Sequence, residues 1–206
     1  MGPARVNRNL YGLMIKYPEP GRVKTRLARV IGPEQAALIS RQTAETVVRQ
    51  TSPDDRADIR YDRYIFYDPP DRGQDFVSWL PDEAFILQSG RDVGERMDAA
   101  VRHLIGLGAA RAVITGADIP GLSREILVQA FELLDHADVV LGPALDGGYY
   151  LIGMKKPMPE LFHDIPWSSP EVLSETLKVL SRLNRSYSLL PALSDLDTIE
   201  DLHRQG

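Results

Sequence analysis

The 206-residue chain contains no cysteine. That excludes disulfide scaffolding, a thiolate metal site and a cysteine nucleophile, and it permits a reducing, cytoplasmic location. Histidine is scarce as well. His103, His136, His163 and His203 fall without a paired helical spacing, which argues against a zinc site. No apolar run approaches the roughly 20 residues that span a membrane, and the opening "MGPARVNRNL" lacks the apolar core of a signal peptide. An excess of positive charge is missing too: 24 Lys and Arg stand against 29 Asp and Glu, a formal net charge of −5. That balance argues against a general nucleic-acid binder. With no repeat, low-complexity segment or linker in view, one domain over residues 1–206 is expected. The remaining composition, 43% hydrophobic and 26% charged, is that of an ordinary globular protein.

Short apolar runs bounded by Pro, Gly and Asp predict strands at 10–17, 63–67, 84–88, 111–118, 138–144 and 147–154, with a last strand and loop within 186–197. Helical periodicity predicts helices at 35–50 with Pro33 in the first turn, 71–80, 92–108, 123–136 with Ser123 as cap, 169–184 and 198–205. Strands and helices alternate for most of the chain. Alternation implies an α/β fold, a mostly parallel sheet with helices on both faces. The Asp-Gly-Gly turn at 146–148 adds at least one antiparallel strand.

Ligands of such sheets bind beyond the carboxyl ends of the strands. That rule selects "PEPGRVKTRL" after the first strand, "GADIPG" after the fourth and "ALDGG" after the fifth. In the first, Gly21 permits close backbone approach, and Arg22, Lys24 and Arg26 suit the oxygens of a polyphosphate; a helix beginning there would add positive potential. The same charges would also suit a solvated turn. Asp118 offers a hard carboxylate for Mg²⁺ or Mn²⁺, or it merely shapes an Asp-x-Pro turn. Asp146, Gly147 and Gly148 form a hairpin turn that can present a carboxylate, with Tyr149 and Tyr150 beside it. Asp195 and Asp197 precede the terminal helix, either as ordinary capping chemistry or as a second carboxylate for the metal at Asp118. Arg96 stands at a helix start, near a nucleotide or in a surface ion pair. Trp167 and Ser168 either face an acceptor or anchor a loop on the core.

The order of these stretches resembles that of a bacterial family of GT-A-like transferases, described as nucleotide-diphospho-sugar transferases or family 2-like glycosyltransferases of unassigned substrate. The stretches are "KYPEPGRVKTRL", "GADIPGL", "DGGYYLIG", "WSS" and "DLDTIEDL", and they run from Leu10 to Leu202. The family is similar in fold to molybdenum-cofactor and 2-phospholactate guanylyltransferases. The resemblance implies a single three-layer α/β/α GT-A domain. It implies that Asp118 and Asp197 hold Mg²⁺ or Mn²⁺, that Lys24 with Arg22 and Arg26 binds nucleotide phosphates, and that Asp146 through Gly148 face the acceptor. Beside these, the residues themselves suggest Gly21 and Arg96 for the nucleotide and Tyr149, Trp167 and Ser168 for the acceptor side.

Two departures from related patterns stand out. Gly21 is alone where nucleotidyltransferase loops carry several glycines, and Ile199 replaces the proline of D-T-P-E-D-L tails. The expectation is therefore a metal-dependent transferase that takes a nucleotide sugar or nucleoside triphosphate as donor and a small-molecule acceptor. The clamp of metal and cations would stabilise charge on the leaving phosphates, with Lys24 and Asp118 central and Asp146 as general base for a hydroxyl acceptor. Glycosyl transfer is the leading reading. Nucleotidyl transfer with pyrophosphate release and a non-catalytic nucleotide-binding module are the alternatives. The oligomeric state is not readable from the sequence.

Overall fold

The first apolar run forms strand β1 (Asn9–Lys16) in the computed structural model of the chain, which describes residues 8–54 and 56–204. Residues 1–7, where much of the leader-peptide reading falls, Asp55, and Gln205 of the predicted terminal helix lie outside the described residues. The further strands are β2 (Asp62–Asp68), β3 (Phe85–Leu87), β4 (Arg111–Gly116), β5 (Val139–Pro143), β6 (Tyr149–Met154) and β7 (Tyr187–Leu189). The helices are α1 (Thr25–Ile31), α2 (Pro33–Gln50), α3 (Gly73–Trp79), α4 (Val93–Gly106), α5 (Arg124–Leu133), α6 (Val172–Arg182) and α7 (Ile199–Arg204).

The strands make one seven-stranded sheet in the order β3-β2-β1-β4-β6-β5-β7. All neighbours pair in parallel except around β6, which runs antiparallel to β4 and β5. The mixed, mostly parallel α/β sheet that alternation implied is thus present, and the turn at 146–148 makes its antiparallel hairpin. One consequence matters for function. The ends of β1, β2, β4 and β5 and the start of β6 share a single rim.

β1 is buried on both faces, as central parallel strands are. Tyr11, Leu13 and Ile15 point into a core closed by Ala44 and Val47 of α2, Phe76 of α3 and Phe131 of α5. Leu10 faces a second core with Val101 and Leu104 of α4 and Val179 and Leu180 of α6. Two layers of helices therefore cover the sheet, and each fully buried Leu, Val or Phe contributes about 1.5–3 kcal/mol through area removed from water. A small third cluster joins Leu27 of α1 and Ala36 of α2 to Leu196 near the C-terminal end. It pins the terminal segment against the loop that follows β1.

Several boundaries move from their predicted places. α6 begins at Val172, not 169, because Ser169 and Pro170 form a turn in which the Ser169 carbonyl accepts from Val172 N at 3.4 Å. Ser123 holds the cap position of α5, yet its side chain caps no backbone N–H. Its hydrogen bond goes instead to the Glu125 carboxyl, which it pulls below its usual value. α1 emerges as a short separate helix, with Gly32 at φ 86° dividing it from α2.

The sheet needs glycine at the middle of β1. A Cβ on Gly12 would lie 2.6 Å from Ile114 Cδ1 and 2.8 Å from the Phe66 ring. Gly12→Ala is expected to destabilise the fold by about 1–3 kcal/mol through overpacking, read as a lower urea midpoint at unchanged slope. An unchanged midpoint would contradict this packing.

Candidate functional site

The basic loop after β1 combines a strained backbone with a buried, bonded side chain that holds it. Gly21 adopts φ 77°, a left-handed value, with no atom within 4 Å of where a Cβ would be. Glycine is needed there for its backbone and not for space. Lys24, at the start of α1, is also left-handed at φ 44°, a conformation costing a non-glycine residue on the order of 1–2 kcal/mol. Its side chain is only 2% exposed, and its ammonium donates to Asp118 Oδ1 at 2.8 Å. A second donation goes to the Leu196 carbonyl. These charge-assisted bonds are what hold the strained residue in place.

Asp118 lies just beyond β4, and its side chain is 62% exposed. Its backbone carbonyl accepts from Leu196 N at 3.0 Å. Segments 94 and 172 positions apart in sequence are thereby joined through one ammonium. Next to this knot Arg26 Nη1 faces Asp197 Oδ2 at 3.4 Å. α7 opens with a capping box: Thr198 N donates to Asp201 Oδ2 at 2.7 Å, and Asp201 N donates back to Thr198 Oγ1 at 3.3 Å. The capping reading of "DTIED" therefore holds for Thr198 and Asp201. Asp197 remains 37% exposed toward Arg26.

Two cavities open on the rim. The larger, about 570 Å³, has an apolar floor of Met14, Met97 and Ile114, with Asp146, Asp195 and Trp167 on its walls. The smaller, about 330 Å³, is edged by Arg22, Lys24, Thr25 and Asp197. Lys16, Met14, Ala117 and Asp118 line both. The two spaces are neighbours across the ends of β1 and β4.

The walls of the larger cavity are tightly built. In the hairpin turn, Gly148 N donates to Asp146 Oδ1 at 2.9 Å, which fixes that carboxylate. Gly147 has φ 93°, and a Cβ there would sit 2.2 Å from the Pro170 carbonyl oxygen, so the turn presses on the segment entering α6. Trp167 lies on Gly94 of α4, where a Cβ would come within 2.4 Å of its indole nitrogen, and it meets Tyr149 edge-on at 6.3 Å. Ser168 beside it is exposed at φ 66°. Asp195 has its carboxyl pushed up, first by desolvation and then by Asp146 and Asp201. Arg96 is committed: Nη1 pairs with Asp68 at 3.3 Å and Nε donates to the Gly90 carbonyl. Glu95 pairs with Arg91, which holds its carboxyl down to about 2.

The residues singled out in the sequence thus divide between the two cavities. Arg22, Lys24, Asp118 and Asp197 edge the smaller one; Arg96, Asp118, Asp146, Gly148, Tyr149, Trp167 and Ser168 line the larger. Gly21 and Gly147 shape the turns from outside the lining. Arg26 acts on Asp197 and lines neither. Lys16 and Gln88 are additions of the structure, and Asp195, read in the sequence beside Asp197, lines the larger cavity with its carboxyl half-buried. Lys16 carried a readable signal, since it is the charged residue that ends an otherwise apolar strand.

The family described as "Uncharacterized protein conserved in bacteria (DUF2064)" matches residues 54–169. A candidate nucleotide-diphospho-sugar transferase from Desulfovibrio desulfuricans G20 is 35% identical, with 97% of this chain and 87% of that one covered and a TM-score of 0.89. A CMP:2-keto-3-deoxy-manno-octonic acid synthetase complexed with CTP is 12% identical, covers 96% of each chain and has a TM-score of 0.59. Rv0371c from Mycobacterium tuberculosis H37Rv, in complex with manganese, is 12% identical over 95% of this chain and 96% of that one, with a TM-score of 0.55. At such identities the last two show the fold alone. No curated protein matches the chain.

Removing the ammonium tests the knot. Lys24→Met is expected to lower stability by about 1.5–3 kcal/mol per charged hydrogen bond lost and to expose residues 195–204 to faster amide hydrogen exchange. Exchange of that segment at the wild-type rate would show that Lys24 does not hold it.

Proposed function

The chain belongs to the family described as "Uncharacterized protein conserved in bacteria (DUF2064)", and from that membership and the geometry of the rim we propose that it is a metal-dependent transferase using a nucleotide-activated donor. The reaction proposed is glycosyl transfer from a nucleotide-diphospho-sugar. The observation that carries this reading is the placement of a basic cavity directly beside a carboxylate-walled one, joined through Lys24 and Asp118. A diphosphate donor is what requires both at once. The 35% identity to the Desulfovibrio desulfuricans protein supports the same class.

A divalent cation fits the donor set without a protein cage. Asp118 and Asp197 are hard oxygen ligands, partly exposed and lining the same cavity. Among the described residues no group of three or more His, Asp or Glu forms a closed metal cluster. Mg²⁺ and Mn²⁺ match that arrangement, because they bind through one or two carboxylates and fill their shells with water and phosphate oxygens. When bound, such an ion would offset charge on the leaving phosphates. The manganese complex of the like-folded Rv0371c is in keeping with this choice.

The chain's own residues divide the work. Arg22 and Lys24 edge the phosphate side, and Lys24 also holds Asp118 in position. Trp167, with Tyr149 behind it, gives the acceptor a flat apolar wall, and Ser168 supplies an exposed hydroxyl. Gly147 and Gly148 keep the turn close to that space. Asp146 is the proposed general base for an acceptor hydroxyl; its Oδ1 is fixed by Gly148 N, so the carboxylate is already oriented.

A panel of sugar nucleotides and nucleoside triphosphates, read by thermal shift with and without Mg²⁺ or Mn²⁺, tests the reading. A true donor near 100-fold above its dissociation constant should stabilise by about 2.7 kcal/mol, a rise of about 5–10 °C for a chain this size. Asp118→Ala and Asp118→Asn should remove the metal dependence of that rise. Turnover then separates the chemistries, since released nucleoside diphosphate marks glycosyl transfer and released pyrophosphate marks nucleotidyl transfer. No rise with any nucleotide in either metal would sink the donor-binding reading.

A further inference from the structure

The basic side chains lining the two cavities are Lys16, Arg22, Lys24, Arg91 and Arg96. Four of them are already paired. Arg22 faces Glu19 at 3.5 Å, Lys24 holds Asp118 at 2.8 Å, Arg96 holds Asp68 at 3.3 Å, and Arg91 is paired with Glu95. Lys16 alone has no ion pair or side-chain hydrogen bond among the described residues. It ends β1, is exposed, and belongs to the lining of both cavities. Its register partner on β2 is Asp68, the carboxylate in reach by strand pairing, and that group is taken by Arg96. The uncompensated charge of the rim therefore stands where the two cavities meet.

From this arrangement we propose that Lys16 is the residue that contacts the donor's diphosphate where it passes from the smaller cavity into the larger, and that Lys24 is a positioning residue acting through Asp118. The inference rests on the reading of the site given above and refines it. A phosphate that engaged Lys24 or Arg96 would have to break an existing ion pair and leave a carboxylate without its partner. Engaging Lys16 breaks nothing, and a mobile ammonium suits a group whose charge shifts during transfer. Lys24 has a further reason to stay in place, because its 2% exposed ammonium also holds the Leu196 carbonyl and with it the terminal segment. The ligand class is a diphosphate linkage bridging two compartments, nucleoside on one side and transferred group on the other.

The test is calorimetric titration of the full chain with inorganic pyrophosphate in Mg²⁺, at low and high salt. Wild-type protein should bind, with affinity falling as salt rises. Lys16→Ala should bind about tenfold more weakly or worse, the effect of losing one hydrogen bond to a charged group, and its salt dependence should be shallower. Lys16→Arg should restore most of both. The melting temperature of Lys16→Ala should match wild type, because the side chain makes no contact the fold relies on; Lys16→Gln replaces it if it does not. Wild-type affinity and salt slope in the Lys16 variants would overturn this inference and leave the site reading intact. If the wild-type chain bound neither pyrophosphate nor any nucleotide, the site reading would fail and this inference with it.

Discussion

The arrangement of the rim depends on one buried ammonium. Lys24 is the group through which the loop after β1, the end of β4 and the segment before α7 meet. Its burial is affordable only because both acceptors are charged or fully dipolar, since an unpaired buried ammonium costs several kcal/mol. The pairing also accounts for the left-handed backbone of Lys24, which nothing local favours. Once that ammonium is placed, Asp118 is presented to solvent at a fixed position, and Asp197 follows through the neighbouring contact with Arg26.

The sheet supplies the frame for this knot. Two apolar faces of β1 and β4 pack into two separate cores, so the strands cannot slide without exposing one of them. Strand ends are therefore fixed to within the tolerance of core packing, and loops leaving them start from defined points. The antiparallel insertion of β6 brings the Asp146 turn to the same rim as the ends of β1 and β4. The likeness to the Desulfovibrio desulfuricans protein at a TM-score of 0.89 shows the same frame in a chain 35% identical.

Much of the frame was readable in the sequence. The strands were legible because their burial on two faces demands continuous apolar runs, as at β1 and β4. The hairpin was legible because Asp-Gly-Gly has few other uses between two such runs. α1 was harder, with Leu27 as its one buried side chain, too little to set a periodicity. The start of α6 was overextended because Ser169 and Pro170 look like ordinary helix openers. At the site, the residue types were legible and their partners were not. Nothing in "GRVKTRL" says that Lys24 will turn inward to Asp118 while Lys16, eight positions earlier, is left uncompensated. Such pairings are set by contacts between distant segments, which local pattern does not encode.

The acidic chain thus uses its early basic stretch in two ways. Arg22, Lys24 and Arg26 mostly balance carboxylates of the same rim, while Lys16 is left without an ion pair among the described residues. The central claim is that phosphate and metal meet between Asp118 and Asp197. Crystals grown with Mn²⁺ and a non-transferable nucleotide-sugar analogue test it most directly, through the anomalous signal of the manganese. The account predicts a peak within coordination distance of Asp118, with Asp197 on its other side and the diphosphate against Lys16. A peak seated instead on Asp146 and Asp195, with phosphates outside the smaller cavity, would contradict it.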